Sequence, residues 1–150
     1  MTTQIGSVQA GVARARIDTL MEAARAVVPL TQAQLRALNT TAVEVIPDPG
    51  DGKAIIVERV LVVRDAGTAY ATTGRIRLRY GTTTNYAATI NGGALGAPAA
   101  VTNMGTSGAD GAGVAVVASE ALNAFATATL GATGTAGVTL LIDYCIVRVT

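Results

Sequence analysis

The arginines at 75, 77 and 79 are the residues whose type and spacing most directly suggest chemistry. They alternate with Ile76, Leu78 and Tyr80, which is strand periodicity, so the three guanidinium groups share one sheet face about 7 Å apart. Such a row can make bidentate, charge-assisted contacts with acidic residues on a neighbouring subunit or on a shell beneath. The plainer reading is a solvated strand face paired with cross-strand acids such as Asp65 or Glu58. Nucleic acid is the weaker use, because no aromatic interleaves with the row except Tyr80, which points the other way.

Other reactive groups are sparse. No histidine occurs, which removes the usual general base, the Ser-His-Asp and Cys-His arrangements and the commonest zinc sites. Lys53, the only lysine, follows a turn and has no evident serine partner. No glycine-rich stretch has the Lys-Ser/Thr ending of a phosphate loop, and Gly131 to Gly137 precedes a strand rather than a helix. Glu44 and Glu58 flank one turn and could face each other as an acid–base pair; the ordinary alternative is that each meets an arginine such as Arg59 or Arg64, or water. Asp48, Asp51 and Asp110 sit in glycine-rich turns and lack the alternating acidic ligands of a calcium loop. Cys145, the only cysteine, lies in an apolar run and is expected to be a buried, inert thiol. The expectation is a chain that is not an enzyme, with no catalytic, cofactor or metal site.

Composition points the same way. Half of the residues are hydrophobic, yet only one Phe and four Tyr are aromatic and Trp is absent, so a binding cleft would have few large anchors. Eleven basic against ten acidic residues is too balanced for a protein that lives on phosphate neutralisation, and no nucleic-acid partner is expected. A charged fraction of only 14% suggests that much of the surface is covered by another chain. No signal peptide is expected, since the first residues hold no continuous apolar core followed by a small-residue cleavage site. The uncharged stretch from Ala121 to Ile142 is long enough to span a bilayer. It holds Asn123, several threonines and the turn-like Gly131–Gly137, so a hairpin is expected and no membrane partner.

The elements that would position these residues fall into two parts, 1–39 and 40–150. From Thr2 to Val28, apolar residues including Ile5, Val8, Val12 and Leu20 recur at nearly helical spacing, with Arg14, Asp18, Glu22 and Arg25 spaced for ion pairs on the other side. This predicts a helical N-terminal arm, ended or bent by Pro29, whose apolar stripe orders against a partner. Thr31 reads as the N-cap of a short second helix, Gln32 to Leu38. From residue 40 the pattern predicts a mainly β, antiparallel sandwich or jelly-roll-like domain. Its strands would be Ala42 to Ile46, Ala54 to Asp65, Arg75 to Tyr80, Tyr86 to Ile90, Gly113 to Ser119 and Val138 to Val149; Leu122 to Leu130 reads as strand or helix. In the long strand, Ile55, Val57, Leu61 and Val63 would share one face and Ile56, Val60 and Val62 the other, both covered. Residues 91–112 read as a long surface loop.

Two runs carry a family resemblance: Leu30 to Val60, in which a short helix leads through a strand and a Pro-Gly turn into a long apolar strand, and the closing strand Gly137 to Val149. Over roughly residues 30–150 the chain resembles small virion proteins of tailed bacteriophages. The resemblance implies a trimerising β-sandwich that serves as a head decoration (cement) protein on the major capsid protein, located on the virion head surface and made in the bacterial host cytoplasm. A tail, baseplate or fibre component contacting a host receptor is the alternative. Interface candidates are Arg75, Arg77, Arg79, Ile5, Val8, Val12 and Leu20.

Overall fold

The computed structural model describes residues 21–70, 74–96, 101–104 and 116–149. Strand β1 (Met21–Leu30) is followed by helix α1 (Gln32–Ala37), β2 (Val43–Ile46), β3 (Lys53–Arg64), β4 (Ile76–Tyr80) and β5 (Tyr86–Ile90). A short helix α2 (Gly92–Gly96) and strands β6 (Val101–Met104), β7 (Leu122–Ala126) and β8 (Val138–Arg148) complete the described elements. The strands form two four-stranded sheets, ordered β1-β8-β3-β6 and β2-β7-β4-β5, with every pairing antiparallel. The fold is the expected antiparallel β-sandwich.

Apolar alternation places the core between the sheets. Ile55, Val57, Val60 and Val62 of β3 and Leu140 and Ile142 of β8 face Ile76, Leu78 and Tyr80 of β4 and Leu122 and Ala124 of β7, all buried in one cluster. Tyr80 is fully buried, and its hydroxyl donates to the Ile55 carbonyl at 2.7 Å, tying the second sheet to the first. Leu30, Leu35 and Leu38 carry β1 and α1 into the same core. The helix begins as its sequence requires. Thr31 Oγ1 accepts from the Gln34 amide at 3.2 Å while Gln34 Oε1 accepts from the Thr31 amide at 2.9 Å, a reciprocal capping box.

Several expectations are corrected. Residues 21–28 are not helical: Met21–Leu30 is an edge strand paired with β8 from Met21↔Val147 to Leu30↔Val138. Its Ala, Glu and Arg residues favour a helix in isolation, but pairing with an apolar strand overrides propensity, and an edge strand tolerates Pro29 without losing an interior ladder bond. The sandwich therefore begins before residue 40; residues 1–20, with Ile5, Val8, Val12 and Leu20, lie outside the described residues.

The faces of β3 are also reassigned. A bulge between Val57 and Arg59 shifts the register against β8, so Ile55 and Val57 share the buried face with Val60 and Val62, while Ile56, Leu61 and Val63 are half-buried outside. Residues 91–112 are not one loop, for they contain α2, which buries Leu95, and β6, which pairs with β3 from Val60↔Met104 to Val63↔Val101. The segment Ala121 to Ile142 is no hairpin: β7 belongs to the second sheet and β8 to the first, and the turn between them crosses the sandwich. Within the expected strand at 113–119, residues 113–115 lie outside the described residues, and Ala118 forms only an isolated bridge with Ala54. No helix among the described residues is long and apolar enough to cross a membrane.

Candidate functional site: an arginine–aromatic sheet face

β4 lies inside the second sheet, between β7 and β5. With Ile76, Leu78 and Tyr80 committed to the core, alternation sends Arg77 and Arg79 to the outer face, and Arg75 stands exposed just before the strand. On β7, burial of Leu122, Ala124 and Ala126 puts Asn123 and Phe125 on that same outer face. On β5 a bulge does the equivalent work. Leu78 opposes Ala88 while Arg79 opposes Tyr86, so Ala87 is the extra residue and Tyr86 turns outward beside Arg79.

The four side chains interlock diagonally. Arg77 lies directly between Phe125 and Thr89, and Arg79 between Asn123 and Tyr86. Yet the Arg77 guanidinium carbon sits over the Tyr86 ring at 4.4 Å, and that of Arg79 over Phe125 at 4.2 Å. The two rings stack on each other with centroids 6.0 Å apart and planes inclined by 24°. The Nε atoms of Arg77 and Arg79 and the Thr89 hydroxyl are buried without a hydrogen-bond partner.

The acids named as cross-strand partners do not reach this face. Glu58 lies on β3, and Asp65 follows that strand beside Gly137, both on the first sheet. No ion pair joins Arg75, Arg77 or Arg79 to a carboxylate among the described residues. Glu44 shares the row Glu44–Asn123–Arg79, but two strand spacings, about 10 Å, separate it from Arg79. Contrary to the expectation that no aromatic interleaves with the arginines, Tyr86 and Phe125 do. Phe125 was legible as an outward residue from its alternation with Leu122, Ala124 and Ala126; that it stands beside β4 was not, because 44 residues of chain lie between Tyr80 and Phe125.

The described ion pairs lie on the outer face of the first sheet. Asp143 of β8 stands between Arg25 of β1 and Arg59 of β3. It accepts from Arg25 Nη2 at 3.1 Å and from Arg59 Nε at 2.8 Å. Hydrogen bonds from Arg25 and then Arg59 hold the Asp143 carboxyl at about 2, below the usual carboxylate range. One row further along the same face, Val27, Leu141 and Leu61 lie side by side across the three strands; Val27 is 61% exposed.

The remaining candidates separate. Glu44 and Glu58 belong to different sheets and both are exposed, so they do not form an acid–base pair. Arg64, offered as a partner for either, is buried at the end of β3, where Nη2 donates to the Gly67 carbonyl at 3.2 Å and Nε and Nη1 have no acceptor. Asp48 accepts from the Gly50 amide at 2.8 Å as an Asx turn. Among the described residues no group of acids, cysteines or histidines is placed to hold a metal ion, and Asp110 lies outside them.

Ser119, which sequence spacing did not connect to Lys53, is brought beside it through a 2.8 Å bond from the Ser119 amide to the Lys53 carbonyl. Its hydroxyl, however, is engaged by the Gly52 amide at 3.3 Å. Cys145 is buried as expected; burial pushes its thiol pKa up, and the neighbouring Glu58 adds to this.

No protein-family model matches this chain, and no curated protein matches it.

Proposed function

We propose that this chain is a non-catalytic structural protein of a tailed-phage virion, a head decoration (cement) protein that trimerises and binds the major capsid protein. The supporting observation is the outer face of the first sheet. There the register lines up Val27, Leu141 and Leu61, with Pro29, Thr139 and Val63 in the next row. The opposite side of these strands is already core, so apolar side chains on the outside are suited to contact with another subunit. A sandwich of small residues whose apolar and arginine–aromatic surfaces lie on sheet faces offers contact area, and symmetric assemblies are built from such area.

The stacked Tyr86 and Phe125 favour a second reading, a tail or fibre component that meets a receptor, because aromatic surface is what such recognition uses. Cryo-electron microscopy of the purified protein mixed with heads lacking it and with isolated tails separates the two. Density at repeated lattice positions on the head is the expected result; density confined to the tail tip overturns the head assignment.

A further inference from the structure

We infer that the outer face of the second sheet binds an extended acidic segment of a different polypeptide, one with carboxylates at alternate positions. The inference rests on the reading of this chain as a contact protein and names the chemistry of one partner. Three observations carry it.

First, the charges on this face have no carboxylate partner among the described residues. The guanidinium groups of Arg77 and Arg79 are held over aromatic rings, their Nε–H groups have no acceptor, and no described carboxylate pairs with them. A guanidinium already fixed against a ring loses little freedom when it grips a planar carboxylate.

Second, the rings already carry the arginines and each other. Tyr86 carries Arg77 over one face, Phe125 carries Arg79, and the two rings stack on each other. A nucleobase or a sugar would have to share the rings with these contacts, whereas a carboxylate needs only the guanidinium edges.

Third, the spacing selects the ligand. Arg75, Arg77 and Arg79 repeat every second residue, about 7 Å along the strand, which matches alternate side chains of an extended peptide. The ten acids of this chain include no two that are two residues apart, so a second copy cannot supply the matching pattern in one strand.

The test uses the full-length protein and three labelled probes at low salt: the peptide Thr-Glu-Thr-Glu-Thr-Glu-Thr, its isomer with the glutamates contiguous, and a short oligothymidylate. Fluorescence anisotropy should show the alternating peptide binding about ten-fold more tightly than the isomer of equal charge, with the oligothymidylate weakest. Arg77→Lys/Arg79→Lys, which keeps the charge and the aliphatic stem, should lose about ten-fold of that affinity, because an ammonium cannot make the forked contact. In the wild-type protein, the Arg77 and Arg79 Nε–H resonances should shift as the peptide is added. Equal binding of the two isomers, tighter binding of the oligothymidylate, or indifference to the lysine pair would each overturn the inference. Docking on heads with no peptide preference sinks the inference alone, whereas peptide binding without docking sinks the head assignment alone.

Discussion

The guanidinium of Arg79 lies 4.2 Å over the ring of Phe125, reaching diagonally past Asn123, its direct neighbour in β7. Arg77 reaches diagonally in the other direction, to Tyr86 of β5. Two strands on either side of β4 thus each contribute one ring, and the arginines between them are positioned by aromatic surface rather than by ion pairs. Phe125→Ala removes one ring and leaves both charges. The expected loss of stability is about 1 kcal/mol, from one cation–π contact and part of a stacked pair, measured by chemical denaturation. The Arg79 guanidinium should also become more mobile in side-chain NMR relaxation; unchanged relaxation would show that the ring does not hold it.

Tyr80 links the sheets, and its ionisation should set the alkaline limit of the fold. Burial, with a smaller contribution from Cys145, pushes its pKa up to about 12, against about 10 in an unfolded chain. The folded protein therefore keeps the proton while the unfolded chain releases it. Stability from this group is complete below pH 10 and is lost as the pH rises toward 12. Tyr80→Phe should cost about 1 kcal/mol at neutral pH, since the Ile55 carbonyl loses its donor, and should flatten the decline in denaturation midpoint between pH 10 and 12. Tyr70 and Cys145, both raised by burial, titrate in the same direction, so the slope shrinks without vanishing. An alkaline limb as steep as that of the wild type would contradict the assignment.

At the acid end the sign reverses. Asp143 ionises at about 2 in the fold, below the ordinary aspartate value of about 3.9, so its contribution is present above pH 4 and fades as the pH falls toward 2. Because Asp143 joins Arg25 of the edge strand to Arg59 of β3, hydrogen-exchange protection factors in β1 should fall over that interval, ahead of those in β3. Asp143→Asn should remove most of this pH dependence. Equal protection factors in β1 at pH 2 and pH 5, after correction for the intrinsic exchange rate, would show that the ion pairs do not hold the edge.

Gly134 shows what the crossing turn between β7 and β8 must accommodate. A Cβ at this position would run into the ring of Tyr70, which is buried and donates to the Ala136 carbonyl at 2.9 Å. The Gly134 carbonyl accepts from Gln32 Nε2 at 2.9 Å and Arg36 Nη2 at 3.2 Å, tying α1 to the same turn. Gly134→Ala should cost about 1–3 kcal/mol through overpacking, whereas Gly93→Ala, where nothing lies within 4 Å of an added Cβ, should be neutral or slightly stabilising. Equal midpoints in urea would contradict the contact.

What could be read from the sequence was whatever local chemistry decides. The Thr31 cap, the Pro47–Gly52 turn, the strict alternation of β4 and the hairpin to β5 all follow from a few neighbouring residues, and all are present. What could not be read depended on distant partners. Met21–Leu30 reads as helix until β8 is beside it, the bulges at Glu58 and Ala87 shift faces without a local signature, and β7 comes to lie against β4 from far along the chain. The arginine row was visible in one strand, but its aromatic half was not, because the rings arrive from two other strands.

The most direct test of the account compares docking with stability in Arg75→Ser/Arg77→Ser/Arg79→Ser. Co-sedimentation with phage heads lacking the protein measures the first, and a thermal melt of the free protein measures the second. These side chains form no ion pair with described residues, and each cation–π contact is worth only about 0.5–1 kcal/mol, so the melting temperature should fall by a few degrees while docking is largely lost. Docking that survives unchanged, with or without a lowered melting temperature, would contradict the claim that this face is a contact surface.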